Sequence, residues 1–220
     1  MAFVHRLIKS DEHALLSEGF QTLEKLIQNF QESDRRRRYF HLYKRKQASD
    51  VLGRGLRQRF VQFSKKLQQE LLLAKLLDSS DKMTHFGYMV SLPGAPSQDW
   101  HIDYDGDQVT IYIPITQETA YNATQYKTDQ LGYELAFQVL TKPDEPHPLI
   151  YTPRQSLHRG VENSEDFRRV VFYFIFSHPD WDSDEPLFEM THRTAINVDK
   201  GIEDRYCPEV ESGAATGQST

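Results

Sequence analysis

Gln98-Asp99-Trp100-His101-Ile102-Asp103 is the stretch on which the reading of this chain turns. In an extended segment, side chains at i and i+2 share a face. His101 and Asp103 can therefore point at one ion. Fifty-seven residues on (158 − 101), His158 stands in Ser156-Leu157-His158-Arg159-Gly160, where a later strand would close the triangle. Ten residues further, Arg168 opens the apolar run Val170-Val171-Phe172-Tyr173-Phe174-Ile175-Phe176. Two neutral imidazoles and a hard carboxylate suit iron(II), and three protein ligands leave coordination positions open.

A His-x-Asp alone has little weight, because a chain with nine histidines and 32 acidic residues produces such matches by chance. A second one, His178-Pro179-Asp180, has no strand-borne arginine after it; His192 follows only 14 residues on, so it reads as a polar turn. The first match has the downstream histidine, the arginine and strands on both sides. An arginine entering a strand that is apolar on both faces needs an anionic partner, since its five donors cannot be left dry. Pairing with a carboxylate ligand answers that need for Arg168, while Arg169 points to the opposite face and pairs with a surface acid such as Glu165 or Asp166.

Outward from this centre, strands are predicted over 85–92, 108–115, 131–140 and 149–151, and over the run 168–177, which is apolar enough to be buried on both faces. In 108–115, Val109, Ile111, Ile113 and Ile115 face one way and Gln108, Thr110 and Tyr112 the other. Short strands separated by turns indicate a sandwich or jelly roll. Residues 1–80 have helical patterning instead. Leu15, Leu16, Phe20, Leu23, Ile27 and Phe30 stripe a helix over 10–31; Leu56, Phe60, Phe63, Leu67, Leu71 and Leu72 stripe another over 56–78. Gly53-Arg54-Gly55 reads as a turn, too short for a phosphate loop. The stripes need a partner surface, so the helices should pack outside the β core. Phe172 and Phe174 lie on the Arg168 side of their strand, where they serve either a pocket or the core.

The chain has 220 residues and a net charge of −6, unevenly spread. Residues 1–80 hold 16 Lys+Arg against 9 Asp+Glu, and residues 81–220 hold 10 against 23. The basic half, with Arg35-Arg36-Arg37-Arg38 and Lys44-Arg45-Lys46 among Tyr39, Phe40 and Tyr43, suggests an anionic partner or a solvated face. The acidic half argues against nucleic-acid binding by the whole. No apolar run approaches the roughly 20 residues of a membrane span, and no signal-peptide core opens the chain. Cys207 is the only cysteine, which fits a reducing, cytoplasmic setting. Residues 211–220 read as a flexible tail.

These residues resemble the iron(II)/2-oxoglutarate-dependent dioxygenases, and within them the phytanoyl-CoA dioxygenase-like group. The matches are Gln98, Trp100, His101 and Asp103, then Asn122-Ala123-Thr124, then His158-Arg159-Gly160-Val161-Glu162-Asn163-Ser164 ending at Phe167-Arg168, over roughly residues 83–177. The Pro-Gly-Ser-His segment common after the Asn-Gly-Ala-Thr block is absent, replaced by Gln125-Tyr126-Lys127-Thr128. The resemblance implies a mainly β fold, a double-stranded β-helix of jelly-roll or cupin-like kind with N-terminal helices outside it. It implies one oxygenase domain over 1–210 (a helical part to 80, a β-helix core over 81–180, a C-terminal extension over 181–210). His101, Asp103 and His158 would be the iron ligands and Arg168 the anchor for the distal carboxylate of 2-oxoglutarate. Gln98, Thr124 and Asn163 match further cofactor-side positions. The implied reaction is hydroxylation of an unactivated C–H bond, with oxygen consumed, succinate and carbon dioxide released, and ascorbate as an accessory reductant. Asp103 argues against a halogenase, in which that carboxylate is lost. A lipid thioester, a small polar metabolite and a protein side chain stay open as substrates, and the basic half favours an anionic one. Two other classes compete: a non-catalytic β-helix that binds a metal or small molecule, and a nucleic-acid binder using residues 35–66.

Overall fold

Helix α1 (Ser10–Ile27) and helix α2 (Gly53–Leu73) form on the two apolar stripes, but Gly53-Arg54-Gly55, expected as a turn, is the first turn of α2, and α2 ends at Leu73, short of the expected 78. Leu15, Leu16, Phe20 and Leu23 of α1, and Leu56, Phe60, Phe63, Leu67 and Leu71 of α2, are buried. In this computed structural model the described residues are 2–27, 37–44, 47–48, 52–103, 107–130, 133–142, 145–178, 194–196 and 204–205. Arg35, Arg36, Arg45 and Lys46 of the basic runs, Asp180 and His192 of the second motif, and the tail over 211–220 lie outside them.

The helices cover one face of a large sheet. Its strands are β1 (Phe3–Leu7), β2 (Arg37–Lys44), β3 (Gln47–Ala48), β4 (Lys82–Ser91), β5 (Gln108–Pro114), β8 (Pro148–Thr152) and β10 (Arg169–Ser177), extended by β11 (Thr194–Ile196) and β12 (Asp204–Arg205). The order is β1-β8-β5-β10-β4-β2-β11-β12, with β3 on β2. A smaller sheet of three strands runs β7 (Tyr133–Gln138), β6 (Thr124–Gln130), β9 (His158–Gly160). Apart from β11 on β2, all strand pairs among the described residues are antiparallel. This is the expected mainly β, jelly-roll architecture, two sheets facing each other with helices on the outside.

The larger core lies between the big sheet and the helices. Phe60 of α2 stacks on Phe86 at 5.3 Å and on Phe172 at 5.2 Å, and Phe63 meets the Phe174 ring edge-on at 5.2 Å. Each such side chain contributes roughly 1.5–3 kcal/mol by leaving water. Phe172 and Phe174 therefore belong to this core and line no pocket. A smaller cluster, Met89, Val171, Tyr173 and Ile175 with Tyr112, occupies the opposite face of the big sheet. Both faces of β10 are buried along its whole length.

Residues 1–80 are not helices alone. β1 pairs with β8, and β2 pairs with β4 from Arg37↔Ser91 to Lys44↔His85. The basic segment from Arg37 to Lys44 is thus a strand, held by its neighbour's ladder and by Phe40 and Leu42, which it buries in the core. Arg6 of β1 holds Glu12 of α1 with two hydrogen bonds (2.7 and 2.8 Å) and Glu70 of α2 with a third (2.7 Å), tying the N-terminal strand to both helices. Among the described residues no helix is long and apolar enough to cross a membrane.

Candidate metal centre and anion site

The two histidines of the proposed triad are clipped together by backbone. The His101 N–H donates to the His158 carbonyl at 3.0 Å and the His158 N–H donates back to His101 at 2.9 Å. Gln98 lengthens the clip: its N–H donates to the Gly160 carbonyl (2.8 Å), and its Oε1 accepts from the Gly160 N–H (3.0 Å). Gln98 is therefore placed as a brace between the two ligand-bearing segments.

Each imidazole is oriented the same way. His101 Nδ1 lies 2.7 Å from the Asp99 carbonyl oxygen, and His158 Nδ1 lies 2.9 Å from that of Ser156. A carbonyl only accepts, so Nδ1 bears a proton in both rings, and in a neutral ring Nε2 is the nitrogen left to bind a metal. Those Nε2 atoms face Asp103: His101 Nε2 is 3.8 Å from Oδ1 and His158 Nε2 is 3.4 Å from Oδ2. One ligand atom from each residue lies within 4.8 Å of the others. Asp103 and His158 are buried, at 8% and 3% exposure. The donor set and its tautomers fit a divalent ion held by two nitrogens and an oxygen.

Tyr112 of β5 reaches into this triangle from the big sheet. Its hydroxyl donates to Asp103 Oδ2 at 2.9 Å and lies 3.3 Å from His158 Nε2. The sequence alternation already put Thr110 and Tyr112 on the face opposite Val109, Ile111 and Ile113. What it could not supply was the identity of the group that they face.

The arginine is where expectation and structure part. Arg168 lies on the helix side, paired with Glu24 of α1 and stacked over Phe20 at 5.1 Å from the ring centre. It is turned away from the triad, and its side chain is 43% exposed. Arg169, expected at the surface, is 1% exposed and points between the sheets. Its Nε donates to Glu118 Oε1 and its Nη2 to Thr124 Oγ1, both at 2.6 Å. The inward set is Arg169, Val171, Tyr173 and Ile175; each assignment made from Arg168 moves by one residue, because faces alternate along a strand. The loop before β10 sets this register. Asn163, fully buried, donates from Nδ2 to the Ser91 carbonyl (2.9 Å) and to that of Phe167 (3.0 Å). Asn163 thus fixes the loop and does not face the triad's cavity with a free amide.

Arg169 has one unmet donor. Its Nη1 is buried with no hydrogen-bond partner among the described residues. Leaving such a donor dry costs about 1–3 kcal/mol or more for a charged group. Thr124, its partner, pairs across β6–β9 with Gly160, and Tyr126 pairs with His158. The Arg169 guanidinium is thus bonded to a residue two positions along β6 from Tyr126, the strand partner of His158. Glu118 is the residue that the sequence did not reveal. It is 2% exposed, and burial pushes its carboxyl up while the Arg169 charge pulls it down.

No family model and no curated protein sequence matches the chain. Solved structures do. SnoN, a non-heme alpha-ketoglutarate-dependent epimerase from nogalamycin biosynthesis, is similar with a TM-score of 0.56 at 12% identity, over 80% of this chain and 76% of that one. ThoJ, a non-heme monooxygenase in complex with nickel, gives 0.54 at 16% identity, over 81% and 73%. AviO1 from Streptomyces viridochromogenes Tue57 gives 0.53 at 12% identity, over 79% and 87%. The chain shares the fold of non-heme alpha-ketoglutarate-dependent enzymes. At these identities the likeness is one of fold, and it does not distinguish a phytanoyl-CoA dioxygenase-like subgroup.

Proposed function

We propose that this protein is an iron(II)- and 2-oxoglutarate-dependent oxygenase that hydroxylates a C–H bond of a small molecule, akin to the phytanoyl-CoA dioxygenase-like group. The observation that carries the reading is the pairing of two sites across one interior. His101, Asp103 and His158 converge with both Nε2 atoms turned to Asp103, and the buried Arg169 Nη1, whose guanidinium is bonded to Thr124 of the small sheet, has no partner among the described residues. His101, Asp103 and His158 would hold iron(II), which supplies oxygen activation and electron transfer when bound. Arg169, not Arg168, would take the distal carboxylate of 2-oxoglutarate, with Thr124 fixing the guanidinium plane. Tyr112 holds Asp103 in place, Gln98 holds the two histidine segments together, and Tyr126 and Tyr173 help to exclude water.

Succinate released from 2-oxoglutarate by iron-loaded protein in oxygen tests this reading. Wild type should release it even without a primary substrate, slowly, and Asp103→Ala should not. Equal release by the two proteins would remove the triad from the reaction. One observation favours a second reading, a β-helix that binds metal without turnover: Glu118 already neutralises Arg169. Metal binding with no affinity for 2-oxoglutarate, in wild type and in the Glu118→Gln variant, would select it.

A further inference from the structure

We propose that Glu118 is the specificity and charge-balancing residue of the Arg169 site, coupling the arrival of a ligand's distal carboxylate to the uptake of one proton. The inference rests on the oxygenase reading above for the identity of the ligand, and on the structure for everything else.

Arg169 and Glu118 are both buried, at 1% and 2% exposure, and together they carry no net charge. A ligand carboxylate docking on the remaining Nη1 would make the cluster net negative in a region cut off from water. Two carboxylates that share one guanidinium cannot both stay ionised cheaply, so one takes a proton. Glu118 is the one that cannot leave. Its N–H donates to Thr141 Oγ1 at 2.8 Å, and its carbonyl accepts from the Thr141 N–H at 3.0 Å, which pins the backbone on both sides. Burial already pushes its carboxyl up against the pull of Arg169.

The other groups around it offer no alternative. From β6, Thr124 is a neutral hydroxyl bound to Arg169, and Tyr126 is a phenol that burial pushes up and keeps protonated. From β10, Arg169 is the cation itself. The nearby acid Glu165 is held by the hydroxyl of Thr119. Among the described residues Arg169 is the one cation acting on Glu118, and the proton supplies the balance. The balanced event is one ligand dianion and one proton bound per site, with no covalent bond made or broken.

Two consequences follow for recognition. Affinity for a dicarboxylate 2-oxo acid should fall tenfold for each pH unit once Glu118 is ionised in the free protein, the slope of a one-proton linkage. A monocarboxylate oxo acid such as pyruvate, with no distal group to place on Nη1, should bind without taking up a proton.

The experiment is calorimetric titration of anaerobic, iron(II)-loaded wild-type protein with 2-oxoglutarate at slightly alkaline pH. Two buffers of different ionisation enthalpy separate binding heat from proton uptake. Preloading the metal keeps His101 and His158 out of the proton count. We expect close to one proton taken up with 2-oxoglutarate and none with pyruvate. Glu118→Gln mimics the protonated acid, so it should bind 2-oxoglutarate with no proton uptake and about tenfold more tightly than wild type at a pH one unit above the transition. Binding of 2-oxoglutarate to wild type with no buffer-dependent heat would overturn the coupling and leave the oxygenase reading standing; this measurement needs no variant. Proton uptake that persists in Glu118→Gln would assign it to another group and overturn the role of Glu118. Failure of 2-oxoglutarate to bind either protein would overturn both.

Discussion

Replacing Arg169 by methionine isolates what the buried pair contributes. The change keeps the length of the side chain and removes its charge, leaving Glu118 between the sheets without its partner. The carboxylate then has two options. It can stay ionised and dry, which costs several kcal/mol, or it can take a proton. From the ordinary carboxyl value of 4.5, protonation at pH 7 costs about 3.4 kcal/mol at 1.36 kcal/mol per pH unit. That is the cheaper course, and it falls within the roughly 3–5 kcal/mol expected for breaking a buried pair. The sign of the pH dependence follows. A carboxyl whose folded-state pKa stands above its unfolded value loses stability as pH rises through the window between the two. The variant raises that value further than wild type does, so its deficit should be small near pH 5, where protonation costs only about 0.7 kcal/mol, and should grow toward pH 7. Burial already holds Glu118 up in wild type, so the growth should be no more than about 2.7 kcal/mol. Urea unfolding of Arg169→Met at pH 5 and pH 7 measures it. Arg168→Met, which breaks a partly exposed pair with Glu24 and the stacking over Phe20, should cost about 0.5–2 kcal/mol at either pH. Arg169→Met/Glu118→Leu should recover most of the loss, because apolar groups can replace a buried pair. Equal costs for the two single arginine variants would refute the register of β10. A deficit independent of pH would refute Glu118 as the stranded charge.

Tyr112→Phe removes the hydrogen bond to Asp103 Oδ2, and metal affinity should fall about 10–100-fold, as for other groups that orient a ligand; tighter metal binding, read by calorimetry with Mn(II), would mean that the hydroxyl competes for His158 Nε2. Gly87→Ala would put a Cβ 2.1 Å from the Phe40 carbonyl oxygen, a backbone atom, and should lower stability in thermal unfolding by about 1–3 kcal/mol or more.

The triad was legible because its residue types are rare in combination and the rule that joins His101 to Asp103 is local. The helices were legible for a similar reason, since each has one apolar stripe. The face of β10 was not. Both of its faces are apolar, so alternation offered no contrast, and two adjacent arginines at its mouth gave two registers. The discriminating signal is bulk: Phe172, Phe174 and Phe176 share a face, as do Phe60 and Phe63 on α2, and aromatic side chains of that size belong to the wider core. Strands β1, β2 and β6 were missed because their charged and polar residues mask what apolar pattern they have, as in β2, where Phe40 and Leu42 enter the core from among Arg37, Arg38 and Lys44; pairing with a neighbour completes them. Glu118 lies in a loop 51 residues from Arg169, and no local pattern marks a partner at that range.

The mutual backbone bonds of His101 and His158 close a loop of 57 residues (158 − 101) by the polypeptide's own hydrogen bonds. Drawing the ends of such a loop together costs about 3.6 kcal/mol in its length-dependent part. A metal that had to gather these ligands would lose that much of its binding energy to chain ordering. Here the polypeptide has already met the cost, so nearly all of the coordination energy is left to express as affinity. Chelation should strip the ion while the sheets stay folded.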